Sequence, residues 1–270
     1  MRLTSVLVLL LVACNGDTTG TDTENGSDTE NGSDTDPDTV GNDPVRDNQS
    51  ASTGDFASNF IASTTYDSMV IEIDFVTGHA PDSSAISAMV TRLELLLDKP
   101  SGITVVVDDE IPAQGAPAWT IGETRELEEQ YRDQYRDPDT GVAVLHMLYL
   151  DGNSDRDTDN GQILGYAYQG SSIVMFQSSI EDAGGGGLFA GDVEPVVLLH
   201  EVGHQLGLVN LGTPMAADHE DPDHNGHDSD DGCIMFWAVE TSAVTDMLLG
   251  GTPDFDDACL NDLAAAGGLP

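Results

Sequence analysis

"HEVGHQLGLVN", residues 200–210, decides how the rest of the chain is read. His200 and His204 are four residues apart, so a helix sets both imidazoles on one face, one turn apart, where they can share a metal ion. Glu201 stands beside the first and can hold a water on that ion. The preceding "VEPVVLL" (193–199) is apolar enough to make the helix buried and rigid, and the pattern predicts a helix over 193–208. Gly207 allows a left-handed turn just past the second histidine, so the chain can leave the helix and bring a later ligand back to the metal. That ligand is expected within 211–235. Asp218, His219, Glu220, Asp223, His224 and His227 are the candidates.

Working outward, "SMVIEIDFV" (68–76) alternates and is β-rich, so it predicts a strand. "DSSAISAMVTRLELLLD" (82–98) has a capping Asp and helical apolar spacing. Strands follow over 103–109 and 142–151, with a polar helix between them over 124–136. "QILGYAYQG" (162–170) and "SSIVMFQ" (171–177) predict two adjacent strands broken at Gly170. A last helix is expected in 254–267. Alternating strands and helices followed by clustered strands imply one α/β (α+β) domain with a mixed, twisted sheet over 56–270.

The N-terminal quarter reads differently. Arg2 and the apolar run Leu3–Ala13 form a secretory signal, too short to span a bilayer. "LVAC" resembles a bacterial lipobox, which makes Cys14 the residue to be acylated and 1–14 a lipoprotein signal peptide. Residues 15–55 are Asp, Thr, Gly, Ser, Asn and Glu, with "DTENGS" at 22–27 and again at 28–33. Such a composition buries too little surface to offset the entropy of ordering, so it is expected to be a disordered acidic linker. The chain is thus expected to be exported and lipid-anchored to a bacterial membrane, periplasmic or at the cell surface.

With 49 acidic and 8 basic residues the formal charge is −41, which excludes nucleic-acid binding because the chain would repel the phosphates. The chain is expected to be a monomer. In an oxidising compartment the two remaining cysteines, Cys233 and Cys259, are expected to form one disulfide; two free thiols or two zinc ligands are the alternatives. "DRDTDNG" (155–161) and "DPDHNG" (221–226) resemble the start of calcium loops but lack the closing Glu, so Ca²⁺ is a secondary expectation.

The helix, Gly207 and the downstream "HDSDDGCIM" (227–235) together resemble the metzincin clan of zinc metalloproteases, and within it the archaemetzincin branch. That branch runs HExxHxxGxxH, then cysteine, four residues, cysteine, one residue and methionine. His227 to Met235 keeps the spacing, with Asp228 in place of the first cysteine. Asn210 stands where the third histidine would fall. The resemblance therefore implies an insertion, roughly 210–226, and His227 as third zinc ligand with His200 and His204. His219 is the main rival and His224 follows. It further implies Met235 as the Met-turn methionine, an apolar floor under the metal. The family's second zinc uses four cysteines. With only Cys233 and Cys259 present, its loss and a disulfide tying the Met-turn to the C-terminal helix are what the comparison implies.

The function implied is that of a membrane-tethered zinc endopeptidase holding one catalytic Zn²⁺. A zinc-bound water would attack the scissile carbonyl of a protein or peptide substrate, and Glu201 would be the general base. The strand around Leu164–Tyr168 is the candidate edge for pairing with an extended peptide. The alternative is a non-catalytic surface lipoprotein that binds calcium or a partner and holds a structural zinc.

Overall fold

The computed structural model describes residues 46–159, 161–185 and 191–270. The expected signal peptide with Cys14, and 15–45 of the expected linker, lie outside them. In chain order the elements are a 3₁₀ turn Asn48–Ser50, α1 Ala57–Ile61, β1 Ser68–Val76, α2 Ser83–Leu96, β2 Gly102–Ile111, β3 Ala118–Trp119, α3 Ile121–Tyr131, β4 Val142–Leu150, β5 Asn153–Ser154, β6 Gly165–Tyr168 and β7 Ser172–Phe176. They continue with α4 Gln177–Gly184, α5 Val193–Gln205, a 3₁₀ turn Trp237–Glu240, α6 Val244–Leu248 and α7 Asp257–Ala265. None of the described helices is long and apolar enough to cross a membrane.

Five strands form one twisted sheet in the order β2-β1-β4-β7-β6. The first four are parallel and β6 runs antiparallel to β7, so the sheet is mixed and β6 is an edge. β4 reads as a nearly unbroken apolar run because it is central and covered on both faces. Its Leu145, Met147 and Tyr149 join Met69, Ile71 and Ile73 of β1 against α2, α5 and α7. Leu148 and Leu150 face the other way, with Val174, Phe176, Trp119 and Leu127, where α3 covers the sheet.

That second face also buries charge. Glu72, Asp74 and His146 point into it and are fully buried. Each finds partners, as buried polar groups must. His146 Nε2 bonds Asp74 at 2.9 Å, Arg132 donates to Glu128 at 2.7 Å, and Glu72 accepts the amides of Asp133 and Gln134.

Residues 46–55 have the composition of the linker, yet they pack on this body. Asn48 is buried and donates to Glu128 and Gln169, while Asp47 pairs with Arg136. The apolar content of this stretch is low, and polar contacts to the buried network hold it instead.

Candidate metal centre

α5 is buried along almost its whole length, which is what fixes its side chains in space. His200 and His204 lie one turn apart with Nε2 atoms 3.0 Å from each other. The Nδ1–H of His200 donates to the Ile234 carbonyl at 2.7 Å, which leaves its Nε2 lone pair facing the site. The helix ends at Gln205, with Leu206 as its C-cap. Gly207 then takes φ +68°, and Thr213 answers the freed carbonyls, its amide bonding Gly207 O and its hydroxyl Leu206 O. A Cβ at Gly207 would stand 2.7 Å from the Thr213 amide nitrogen, so the tight return needs glycine.

The chain comes back at His227. Its ring centroid lies 5.3 Å from that of His200 and 4.9 Å from that of His204. His227 Nδ1–H donates to Asn225 O at 3.2 Å, and its buried Nε2 has no hydrogen-bond partner. The ligand atoms of His200, His204, His227 and Glu240 all lie within 4.8 Å of one another. Glu240 was not among the expected site residues. It sits five residues past Met235, and no local pattern marks it; only the turn of the chain brings it in.

The rivals are elsewhere. Asn210 is exposed in a left-handed conformation, φ +65°, and donates to Glu220. His224 stacks on Trp237 and bonds Asp221. His219 is clamped between Asp228 at 2.6 Å and Asp262 at 3.0 Å. Those two hydrogen bonds raise the His219 pKa against the opposing effect of burial.

Met235 is fully buried, and its sulfur lies so close under α5 that a Cβ on Gly203 would overlap it. Gly203 therefore lets the methionine seat against this face of α5.

The electrostatics favour a cation. Burial lowers the His200 pKa to about 4, against the pull of Glu240, so the imidazole is neutral and able to ligate. Burial, with His200 and His227 close by, holds His204 well below the ordinary range. Glu201 is fully buried; burial and the Glu240 carboxylate raise it well above the ordinary carboxylate range, with the Ala167 amide of β6 acting the other way. Glu240 is held low despite burial, because His227 and His200 face it and Arg156 is near. Three imidazoles and two carboxylates gathered this closely are costly to bury unless their lone pairs and charge find partners. A divalent ion of zinc type, which takes imidazole nitrogen and carboxylate oxygen, fits this donor set.

A correction concerns the cysteines. Cys233 and Cys259 are both buried and both free thiols, with sulfurs 3.8 Å apart, so the expected disulfide is not present. A disulfide needs about 2.05 Å between sulfurs. The thiols hydrogen-bond each other instead, and this contact and burial push Cys259 far up, with Asp256 and Asp228 adding to it. The neighbourhood is rich in donors. His219, Asp228, Asp256 and Cys259 bring ligand atoms within 4.8 Å of one another, a second group able to hold a metal. The absence of a four-cysteine set has thus not emptied this region of ligands.

The two acidic loops make turn contacts. Asp157 accepts from Ile163 N and Asn153 Nδ2, and Asp221 from Asp223 N and His224. Among the described residues neither loop gathers three or more His, Cys, Asp or Glu ligand atoms at one point.

No family model matches the chain, and no curated protein matches it. Among solved structures it is similar to archaemetzincin from Methanopyrus kandleri, at 19% identity and TM-score 0.47, over 74% of this chain and 96% of that one. It is also similar to a zinc-dependent peptidase from Methanocorpusculum labreanum, at 15% identity and TM-score 0.43, over 72% and 99%.

Proposed function

We propose that the protein is a zinc-dependent endopeptidase, exported and tethered to a bacterial membrane through a lipid on Cys14. The observation that carries the activity is the convergence of His200, His204 and His227 beside Glu201, a buried carboxylate with no full hydrogen bond of its own. A structural metal site has no use for such a base.

Zinc, when bound, supplies a Lewis acid that eases deprotonation of water and polarises a carbonyl. The protein's own groups do the rest. His200 and His227 are oriented by the Ile234 and Asn225 carbonyls. Glu201 accepts the proton of the attacking water on a carboxylate oxygen and returns it to the leaving amine. β6 is an edge strand packed against α5, and its outer edge would offer backbone groups to an extended peptide.

The test is metal analysis for zinc and calcium together with peptide-library cleavage. Glu201→Gln is expected to keep zinc and lose at least about 100-fold in kcat, the lower range of a positioned general base. His227→Ala is expected to lose zinc and activity together, whereas Asn210→Ala and His219→Ala keep the active-site zinc. Undiminished cleavage by Glu201→Gln would overturn the mechanism.

A further inference from the structure

Catalytic zinc sites keep one position open, with three protein ligands, whereas four protein ligands close the shell. Here a fourth donor is already in place. Glu240 Oε2 lies 3.8 Å from His227 Nε2, and the pair His200–His204 is separated by 3.0 Å at Nε2. Ligand atoms about 2.0–2.1 Å from a tetrahedral zinc stand roughly 3.4 Å from each other, a value these two distances bracket. Three neutral imidazoles leave the charge of a divalent cation uncompensated, and the Glu240 carboxylate offsets part of it.

The backbone gives Glu240 little freedom. It ends the 3₁₀ turn that follows Met235, its carbonyl accepts the Leu164 amide at 2.8 Å, and Ser242 N bonds Gln162 O at 3.0 Å. Only rotation of the side chain, which is 27% exposed, can carry the carboxylate away from the histidines.

We propose that Glu240 is a fourth, displaceable ligand that closes the metal site at rest. This rests on the assignment of the three histidines as zinc ligands. The carboxylate must swing off before water and a substrate carbonyl can reach the metal. Because residues 240–242 bond to Gln162–Leu164, just ahead of β6, a peptide laid along the β6 edge meets Glu240 at its Leu164 end. Substrate pairing and release of the carboxylate therefore occur side by side.

The experiment uses the full chain with zinc or cobalt(II), comparing wild type, Glu240→Gln and Glu240→Ala. Zinc affinity is measured by competition with a fluorescent chelator. The coordination number is read from the visible absorption of the cobalt(II) protein, and the open position is probed with azide. Both variants are expected to bind zinc about tenfold or more weakly. They are also expected to change the cobalt spectrum and to bind azide where the wild type resists it. Zinc affinities within twofold of wild type and superimposable cobalt spectra would overturn the proposal. If Glu240→Ala proves misfolded by circular dichroism, the near-isosteric Glu240→Gln decides. Metal binding that responds to Glu240 in a protein that cleaves no peptide would support the fourth ligand while removing the peptidase assignment. A wild type that binds no metal would overturn both.

Discussion

His200 shows how one side chain ties metal binding to stability. Its folded pKa of about 4 lies below the ordinary 6.5, so between those values the unfolded chain binds more protons than the native one. The stability from keeping it neutral is complete above pH 6.5 and is lost as pH falls through 4. For the metal-free protein this is about 3 kcal/mol, at 1.36 kcal/mol for each unit. His200→Asn, whose amide can still donate to Ile234 O, is expected to flatten the fall in unfolding free energy between pH 6.5 and 4. Urea titrations of the chelator-treated proteins at several pH values check this. Equal slopes would mean that His200 is not buried as a neutral group. The same residue, with His204, was legible from spacing alone, because four positions on a helix fix a distance before any tertiary contact is known. His227 was legible only through the resemblance to the archaemetzincin pattern, whose histidine-to-methionine spacing it keeps, and His219 remained its rival. Glu240 had no such ruler, since a carboxylate five residues past a turn in so acidic a chain carries no local signal.

Elements followed the sequence where local chemistry sets their ends and departed from it where tertiary contacts do. β1 spans the expected 68–76 because its alternation and its bounds are local. α3 starts at Ile121 rather than 124, since Thr120 and Glu123 form a reciprocal capping box. It stops at Tyr131, and Arg132 turns inward to Glu128 and Ser171. β6 begins only at Gly165, because Gln162–Leu164 bond to residues 240–242 instead. α5 ends at Gln205 rather than 208 because Gly207 reverses the chain. That reversal gives a prediction at this scale. Gly207→Ala places a Cβ at positive φ and 2.7 Å from Thr213 N, and is expected to cost about 1–3 kcal/mol and to weaken zinc binding through the displaced loop to His227. Thermal unfolding and chelator competition measure the two effects. A variant with unchanged melting and affinity would mean that the return does not depend on this glycine.

For the whole molecule, the sheet and the site-bearing helix were legible because hydrophobic periodicity reports burial, whereas the packing of residues 46–55 was not, since polar partners that composition cannot reveal hold them. The proposed tether has its own test. Mass spectrometry of the mature N-terminus is expected to find Cys14 acylated, and an unmodified Cys14 or cleavage elsewhere would remove the anchor from the proposal. If the anchor is there, the manner in which the N-terminal segment joins the body takes on a mechanical meaning. Gly54 and the Leu211–Gly212 backbone are in direct contact, so the chain enters the domain beside the loop that carries His227. Ahead of Gly54, however, come the Asp47–Arg136 ion pair, the Asn48 hydrogen bonds and the stacking of Arg46 on Tyr135. Drag on the leash is taken up there, on the rigid sheet side, as a strain relief takes the pull on a cable before it reaches the terminals.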